Sequence, residues 1–205
     1  MTQDRTCPRM TDLLPRAGEG IVLRRLAATD LAVFQSYRQD PDIGRYQGWV
    51  ATPDEQARDF LIHMNQATLL QPGSWCQIGI AENDDLALIG DIGLILASDS
   101  SRAEIGFTLC RAFQGRGLAT AAVKAAIALV FENTSAGKVV GIADTRNLSS
   151  IRLLERVGMH KVGVRRARCQ GEPCTELVHE VYRPRAAEEL TLDPPASKPV
   201  GDRFQ

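Results

Sequence analysis

A chain of 205 residues carrying Lys+Arg 24 against Asp+Glu 25 has a formal charge of −1, so no global basic field argues for nucleic acid as a partner. At this length a single core buries enough apolar surface to stand without disulfide or metal staples. No apolar run approaches the roughly 20 residues of a membrane span, and residues 1–19, with Asp4, Arg5, Arg9, Asp12 and Arg16, lack the apolar stretch of a secretory signal.

The five cysteines (Cys7, Cys76, Cys110, Cys169, Cys174) are odd in number and scattered. No histidine or further cysteine pair completes a zinc set around Cys169 and Cys174. The expectation is a reduced, cytoplasmic, soluble protein with no metal, no membrane and no nucleic acid. Arg165, Arg166 and Arg168 read as a solvated strand edge.

In chain order, residues 1–19 form a weakly apolar, flexible segment, and 21–25 is a short strand. Thr29 and Asp30 then cap a helix to about Arg38. Asp40-Pro41-Asp42 stops it, because the residue before proline is pushed out of the helical region. Arg38, Asp40 and Asp42 are expected to be capping or surface charges. A loop with Gly44, Tyr46, Gly48 and Trp49 follows. Thr52-Pro53-Asp54-Glu55 opens a second helix: a hydroxyl N-cap, proline at the first position and acids in the first turn. It runs to about Ala67, with Phe60 and Met64 on the buried side.

Strands follow at 75–81, 86–96 and 103–109, the first two joined by an Asn83-Asp84-Asp85 turn. Then come a helix at 118–131, a strand at 138–145, a helix at 148–157 and strands at 160–168 and 175–183. Residues 185–205, with Pro194, Pro195 and Pro199 among small and charged residues, read as a disordered tail. The pattern predicts one α/β domain over 20–184, a mixed sheet with helices on both faces. His63, His160 and His179 have no partner constellation and are read as structural.

The chemically informative segment is Phe113-Gln114-Gly115-Arg116-Gly117-Leu118-Ala119-Thr120, between a strand and a helix. Its two glycines allow a sharp turn and close approach to a ligand. The first amides of the helix, from Gly117 to Thr120, have no intrahelical partner and meet the positive end of the helix dipole, a ready site for a diphosphate. Leu118, Ala122, Ala125, Ala126 and Leu129 recur at helical spacing and anchor the helix. No Gly-Lys-Ser/Thr follows, and position 120 is Thr, so neither a Walker loop nor a dinucleotide fingerprint is present.

Gln114-x-x-Gly117-x-Ala119 resembles the Gln/Arg-x-x-Gly-x-Gly/Ala signature of the GNAT N-acetyltransferases. Asn147-x-x-Ser150 with a closing Gly158-Met159 resembles the family's second motif. Ala103-Glu104-Ile105-Gly106-Phe107, Asp40-Pro41-Asp42, Gly163-Val164-Arg165-Arg166 and Glu180-Val181-Tyr182-Arg183 are similar to the branch containing the ribosomal-protein alanine acetyltransferases (RimJ/RimL-like). The resemblance covers roughly residues 20–184. It implies a mostly antiparallel sheet of about seven strands with a splayed parallel central pair. It also implies acetyl-CoA as cosubstrate, an amine acceptor and, because related enzymes are often dimers, a homodimer as the assembly to test.

The cofactor residues so implied are Phe107, Thr108, Leu109, Gln114, Gly115, Arg116, Gly117, Leu118, Ala119, Thr120, Asn147 and Ser150. In that family the amine attacks the thioester directly, so the enzyme supplies position, an oxyanion donor and a proton route. Amides near Phe107 to Leu109 are the candidate donors. Glu104 is the candidate general base, the other reading being an ion pair with a neighbouring Arg. Many family members carry a Tyr acid seven residues after the motif Asn, where this chain has Leu154. Ser150 is the candidate substitute, the other reading being a helix cap. Tyr46 and Trp49 are candidates to wall the acceptor pocket, with packing as the other reading. Ser149 reads as a helix-start residue.

The acceptor's own chemistry gives a slight preference. Reaching the neutral amine at pH 7 costs about 1 kcal/mol for an α-amine and about 4–5 kcal/mol for a lysine side chain. With no evident acid, peptide N-termini or small amines such as aminoglycosides and polyamines are favoured. Two other functions stay open: a CoA-binding sensor or scaffold without turnover, and a nucleotide-binding domain with a degenerate phosphate loop.

Overall fold

The computed structural model of the protein describes residues 12–184. Cys7 and the expected tail at 185–205 lie outside them. The elements are β1 (Arg16–Gly18), β2 (Ile21–Arg24), α1 (Leu31–Arg38), α2 (Pro41–Gly44), α3 (Asp54–Gln66), β3 (Trp75–Glu82), β4 (Leu88–Leu96), β5 (Arg102–Leu109), α4 (Leu118–Asn133), β6 (Lys138–Asp144), α5 (Leu148–Arg156), β7 (His160–Cys169) and β8 (Glu172–Tyr182). They build one eight-stranded sheet in the order β1-β2-β3-β4-β5-β6-β8-β7. Among the described strands, only β5 and β6 pair in parallel.

The mixed sheet expected from the sequence is present, with one strand more than expected. The extra strand, β1, falls inside the segment read as flexible. It pairs antiparallel with β2 across a turn in which Gly20 takes φ +71°. Leu14 enters the core, and the Arg16 guanidinium grips both Glu132 carboxylate oxygens of α4 at 2.6 and 2.7 Å. The sparse apolar pattern of 12–18 hid this, because most of its stabilisation comes from elements far along the chain.

One face of the sheet packs on α4, whose Ala122, Ala126 and Val130 let the helix sit close to Ile21, Ile92 and Val139. The other face carries α1 and α3 through Phe34, Tyr37, Ala57, Leu61 and Met64. Phe60, expected to be buried, is only partly so and stacks on Phe34 with ring centroids 5.7 Å apart. The Thr52 hydroxyl does not cap α3. That helix opens at Asp54, and the Thr52 carbonyl accepts from the Gln35 side chain at 2.8 Å. The loop expected after Asp40 begins instead as one helical turn, α2, because the Asp40 carboxylate accepts from the amides of Asp42 and Ile43.

Two expectations about polar side chains are corrected. Arg38 is no surface charge: it forms a buried ion pair with Asp91 of β4 at 2.9 Å. The Tyr37 hydroxyl and the Gln77 amide donate to the same carboxylate at 2.5 and 2.7 Å. Cys169 and Cys174, expected to be reduced, are joined by a disulfide. The two-residue turn at Gln170-Gly171 between β7 and β8 brings their Cα atoms to 5.8 Å, within bonding range, and that register is invisible in spacing alone. His179 is fully buried, whereas His63 and His160 are exposed.

Candidate functional site

The site begins where the parallel pair comes apart. β5 and β6 pair from Arg102↔Lys138 to Ile105↔Gly141. Beyond that point β6 stays with β8 while β5 continues beside β4 to Leu109, which leaves a splay. The Cys110 amide donates to Ile89 of β4 at 2.8 Å. Strand alternation therefore turns the main chain of Thr108 toward β4 and that of Phe107 and Leu109 toward the splay. Side chains meet the two splay-facing carbonyls: Gln47 donates to Phe107 at 3.4 Å and Gln114 to Leu109 at 2.9 Å. The amides of Phe107 and Leu109 are left facing the gap, so Thr108 drops out as a main-chain donor there.

The splay opens into a cleft of about 690 Å³ walled by β5, the loop before α4, and α5, with residues 42–47 on the remaining side. Gly115 and Gly117 take φ +75° and +83°, and a Cβ at either would point into open space. Backbone conformation therefore requires glycine here, and the space above it is free for a ligand. Gly117 is the N-cap of α4, and the first amide of the intrahelical ladder is Ala121 N–H to the Gly117 carbonyl at 3.1 Å. The amides of Leu118, Ala119 and Thr120 precede the ladder and line the cleft.

On the opposite wall, the Asn147 side chain caps α5 by accepting from the Ser150 amide at 3.1 Å. Asn147, Ser149 and Ser150 all line the cleft, as do Arg152 and Arg156. The spacing of four between these arginines puts both on one helix face, which is the signal in the sequence that could have found them. Arg116 is the one expected cofactor residue that does not line the cleft. Its guanidinium turns back to Glu82 at 3.3 Å and lies 5.5 Å from the Phe113 ring centroid.

The remaining side of the cleft holds Asp42, Ile43, Tyr46 and Gln47. Arg111 spans to Asp40 and Asp42, both at 2.9 Å, and ties this segment to β5. Tyr46 lines the cleft. Trp49 does not line the cleft: its ring stacks on the Arg38 guanidinium at 3.8 Å, a cation–π contact that draws it toward the buried Asp91 network. What these walls can do is hold an extended anionic ligand by main-chain donors at one end and offer amide hydrogens to a carbonyl at the other.

The model of the acetyltransferase (GNAT) domain family matches residues 21–160. The chain belongs to that family. The uncharacterized N-acetyltransferase p20 of Bacillus licheniformis is 29% identical over 150 residues, covering 72% of this chain and 83% of p20. Among solved structures, a GNAT-family acetyltransferase from Bacillus anthracis has a TM-score of 0.72 at 18% identity, covering 81% of this chain and 96% of that one. The microcin C7 self-immunity acetyltransferase MccE, solved with acetyl-CoA and AMP, has a TM-score of 0.70 at 16% identity over 80% of this chain and 93% of its own. RimL, a ribosomal-protein α-N-acetyltransferase solved with coenzyme A, has a TM-score of 0.67 at 14% identity over 83% and 97%.

As an N-acetyltransferase, this GNAT chain departs from its family's common pattern in one visible place. Leu154 is buried against Gly141 of β6, and a Cβ at Gly141 would come within 2.5 Å of it. A larger side chain at this buried position would have to displace β6 or Met159. Glu104 is exposed on β5 and does not line the cleft. Burial first, and the Asp91 charge second, push the thiol of Cys110, next to the splay, up to about 11. Asp144, Cys169 and Cys174 bring ligand-type atoms within 4.8 Å of one another. The two sulfurs are bonded to each other, and Asp144 is held by Arg146 at 2.6 Å, which keeps its carboxyl below the usual range.

Proposed function

We propose that this chain transfers the acetyl group of acetyl-CoA to a primary amine by direct attack. The observation that carries the reading is the row of unladdered amides at Leu118–Thr120, open to the cleft above glycines whose Cβ positions are empty. A diphosphate matches those donors and the dipole behind them. Arg152 and Arg156 add positive charge on the facing wall. The pantetheine arm would run along Asn147 toward the splay, where the Phe107 and Leu109 amides face the thioester oxygen and stabilise the charge that grows there. The ligands of MccE and RimL agree with this reading.

The acceptor would enter from the side of Tyr46 and Gln47. Glu104 stands on the pairing half of β5, so a proton it takes from the amine passes through water. Of the hydroxyls on the cleft wall, Ser150 and Tyr46 are the candidates to protonate the leaving thiolate. An α-amine or another low-pKa amine needs the least help, which favours peptide N-termini, aminoglycosides and polyamines over lysine side chains. A cytoplasmic location fits these acceptors.

Calorimetry with acetyl-CoA, followed by mass detection of acetylated product over peptides, aminoglycosides and polyamines, tests the proposal. Micromolar binding and turnover on at least one amine are expected. An absence of binding heat ends it. Binding without turnover across the whole panel would support a CoA-dependent sensor, the reading that Leu154 in the acid position favours.

A further inference from the structure

The hairpin tip between β7 and β8 reaches the acceptor wall through one side chain. Gln170 Nε2 donates to the Gly44 carbonyl at 2.8 Å, across 126 residues of sequence. The same carbonyl accepts from the backbone amide of Gln47 at 2.9 Å, so the hairpin and the cleft-lining segment meet at one atom. Gln170 holds φ +51° beside Gly171 at +86°. These are the two positive φ values of a type I′ hairpin turn, and a glutamine is poorly suited to that region. Its contact with Gly44 gives a reason for a glutamine there.

The disulfide closes directly behind this turn. Cys169 and Cys174 flank the four tip residues, and both are only half-buried at an exposed hairpin end. The disulfide end of the hairpin approaches the wall by a second route, through β6. Asp144 lies beside both sulfurs, its carboxylate is held by Arg146 at 2.9 and 2.6 Å, and the Arg146 guanidinium is 5.8 Å from the Tyr46 ring centroid. The wall itself is tied by side chains rather than by a strand ladder: Arg111 to Asp40 and Asp42, Gln47 to Phe107, and Gln170 to Gly44.

We propose that Cys169 and Cys174 are a reversible redox site that latches the acceptor wall of the cleft. With the disulfide closed, the tip is held in the geometry that aims Gln170 at Gly44, and Tyr46 and Gln47 are fixed. A small-molecule thiol opens it. Its thiolate attacks one sulfur, the Cys169–Cys174 bond breaks, and the other sulfur leaves and takes a proton. A second thiol then displaces the first as a small disulfide, so two electrons and two protons pass to the cysteine pair. A small-molecule disulfide runs the exchange backward. The opened tip samples other conformations, and the Gln170 contact is lost for part of the time. The effect on catalysis rests on the acetyltransfer reading above; the effect on the wall does not.

The test uses the full chain in three forms: unreduced, reduced with a phosphine that is then removed, and Gln170→Gly kept unreduced. Alkylation and mass mapping should find Cys169 and Cys174 blocked in the first form and free in the second. Hydrogen exchange at the Gly44 and Gln47 amides should run about fivefold faster in the reduced and Gln170→Gly forms, the equivalent of one net hydrogen bond. Residues 115–120 should be unaffected. With a peptide N-terminal amine as acceptor, KM should rise by a similar factor while coenzyme A affinity stays constant. Equal exchange at 41–48 in all three forms, or alkylatable Cys169 and Cys174 before reduction, overturns the latch. If no amine is acetylated but the exchange difference appears, the proposed function fails and the latch stands.

Discussion

The two ends of the cleft are built on different principles. At the α4 end, main-chain amides do the holding, fixed by a 16-residue helix whose alanine face is packed into the core. At the acceptor end, residues 41–48 have one helical turn and are kept in place by side-chain contacts from β5, from Arg111 and from the β7–β8 hairpin. Backbone donors suit a ligand that never changes. A wall tied by individual side chains can be retuned one residue at a time.

The contrast is sharpest in the polar network behind the acceptor wall. Asp91→Ala would strand the Arg38 guanidinium, the Tyr37 hydroxyl and the Gln77 amide in the interior. A loss of about 3–5 kcal/mol is expected in denaturant unfolding, with the coenzyme affinity of the folded fraction unchanged. Weaker coenzyme binding per folded molecule would mean that the two ends are not separable.

At the other end, Gly117→Asp puts a Cβ and a negative charge into the diphosphate space on a backbone at φ +83°. Calorimetry should show coenzyme A affinity falling by about 2–3 kcal/mol, combining left-handed strain with charge repulsion. Unaltered affinity would remove this loop from the site.

Leu154→Tyr tests whether the common family acid can be restored. Because Leu154 is packed against Gly141, the variant should lose about 1–3 kcal/mol of stability by overpacking and gain no activity. A faster enzyme would show that the helix can shift to admit the ring. Glu104→Gln should lower kcat by less than about tenfold, below the 10²–10⁴ of a base in direct contact, as a carboxylate off the cleft wall acts only through water.

The smallest effect is on pH dependence. Burial lowers the pKa of His179 below its ordinary 6.5. Between that value and the lowered one the unfolded chain binds a proton that the folded chain does not, so stability present above about pH 6.5 is lost as pH falls toward the folded pKa. Thermal unfolding at pH 7.5 and pH 5 should show this drop, and His179→Leu should shrink it. An equal drop in the variant would place the titration elsewhere.

How much of this could be read from residues depends on the range of the forces involved. The glycine turn was legible because its cause is local: Gly115 and Gly117 set it, and the amides that follow belong to the same short segment. Helices and most strands were legible through periodicity and turn residues, whereas the parallel pair was implied by the resemblance to the GNAT family. Arg38, Trp49, Arg116 and the cysteine pair were not, because each takes its role from a partner brought near by folding: Asp91, Arg38, Glu82 and the hairpin register, respectively.

The sequence by itself determined the helices, most strands and the glycine turn ahead of α4, since these follow from short-range backbone preferences, and its motifs carried the likeness to the GNAT acetyltransferases. Only the tertiary structure decided which side chains face the cleft, which charges are buried and how the acceptor wall is tied. Those outcomes depend on the register of strands and on contacts between residues distant along the chain, which no local pattern encodes.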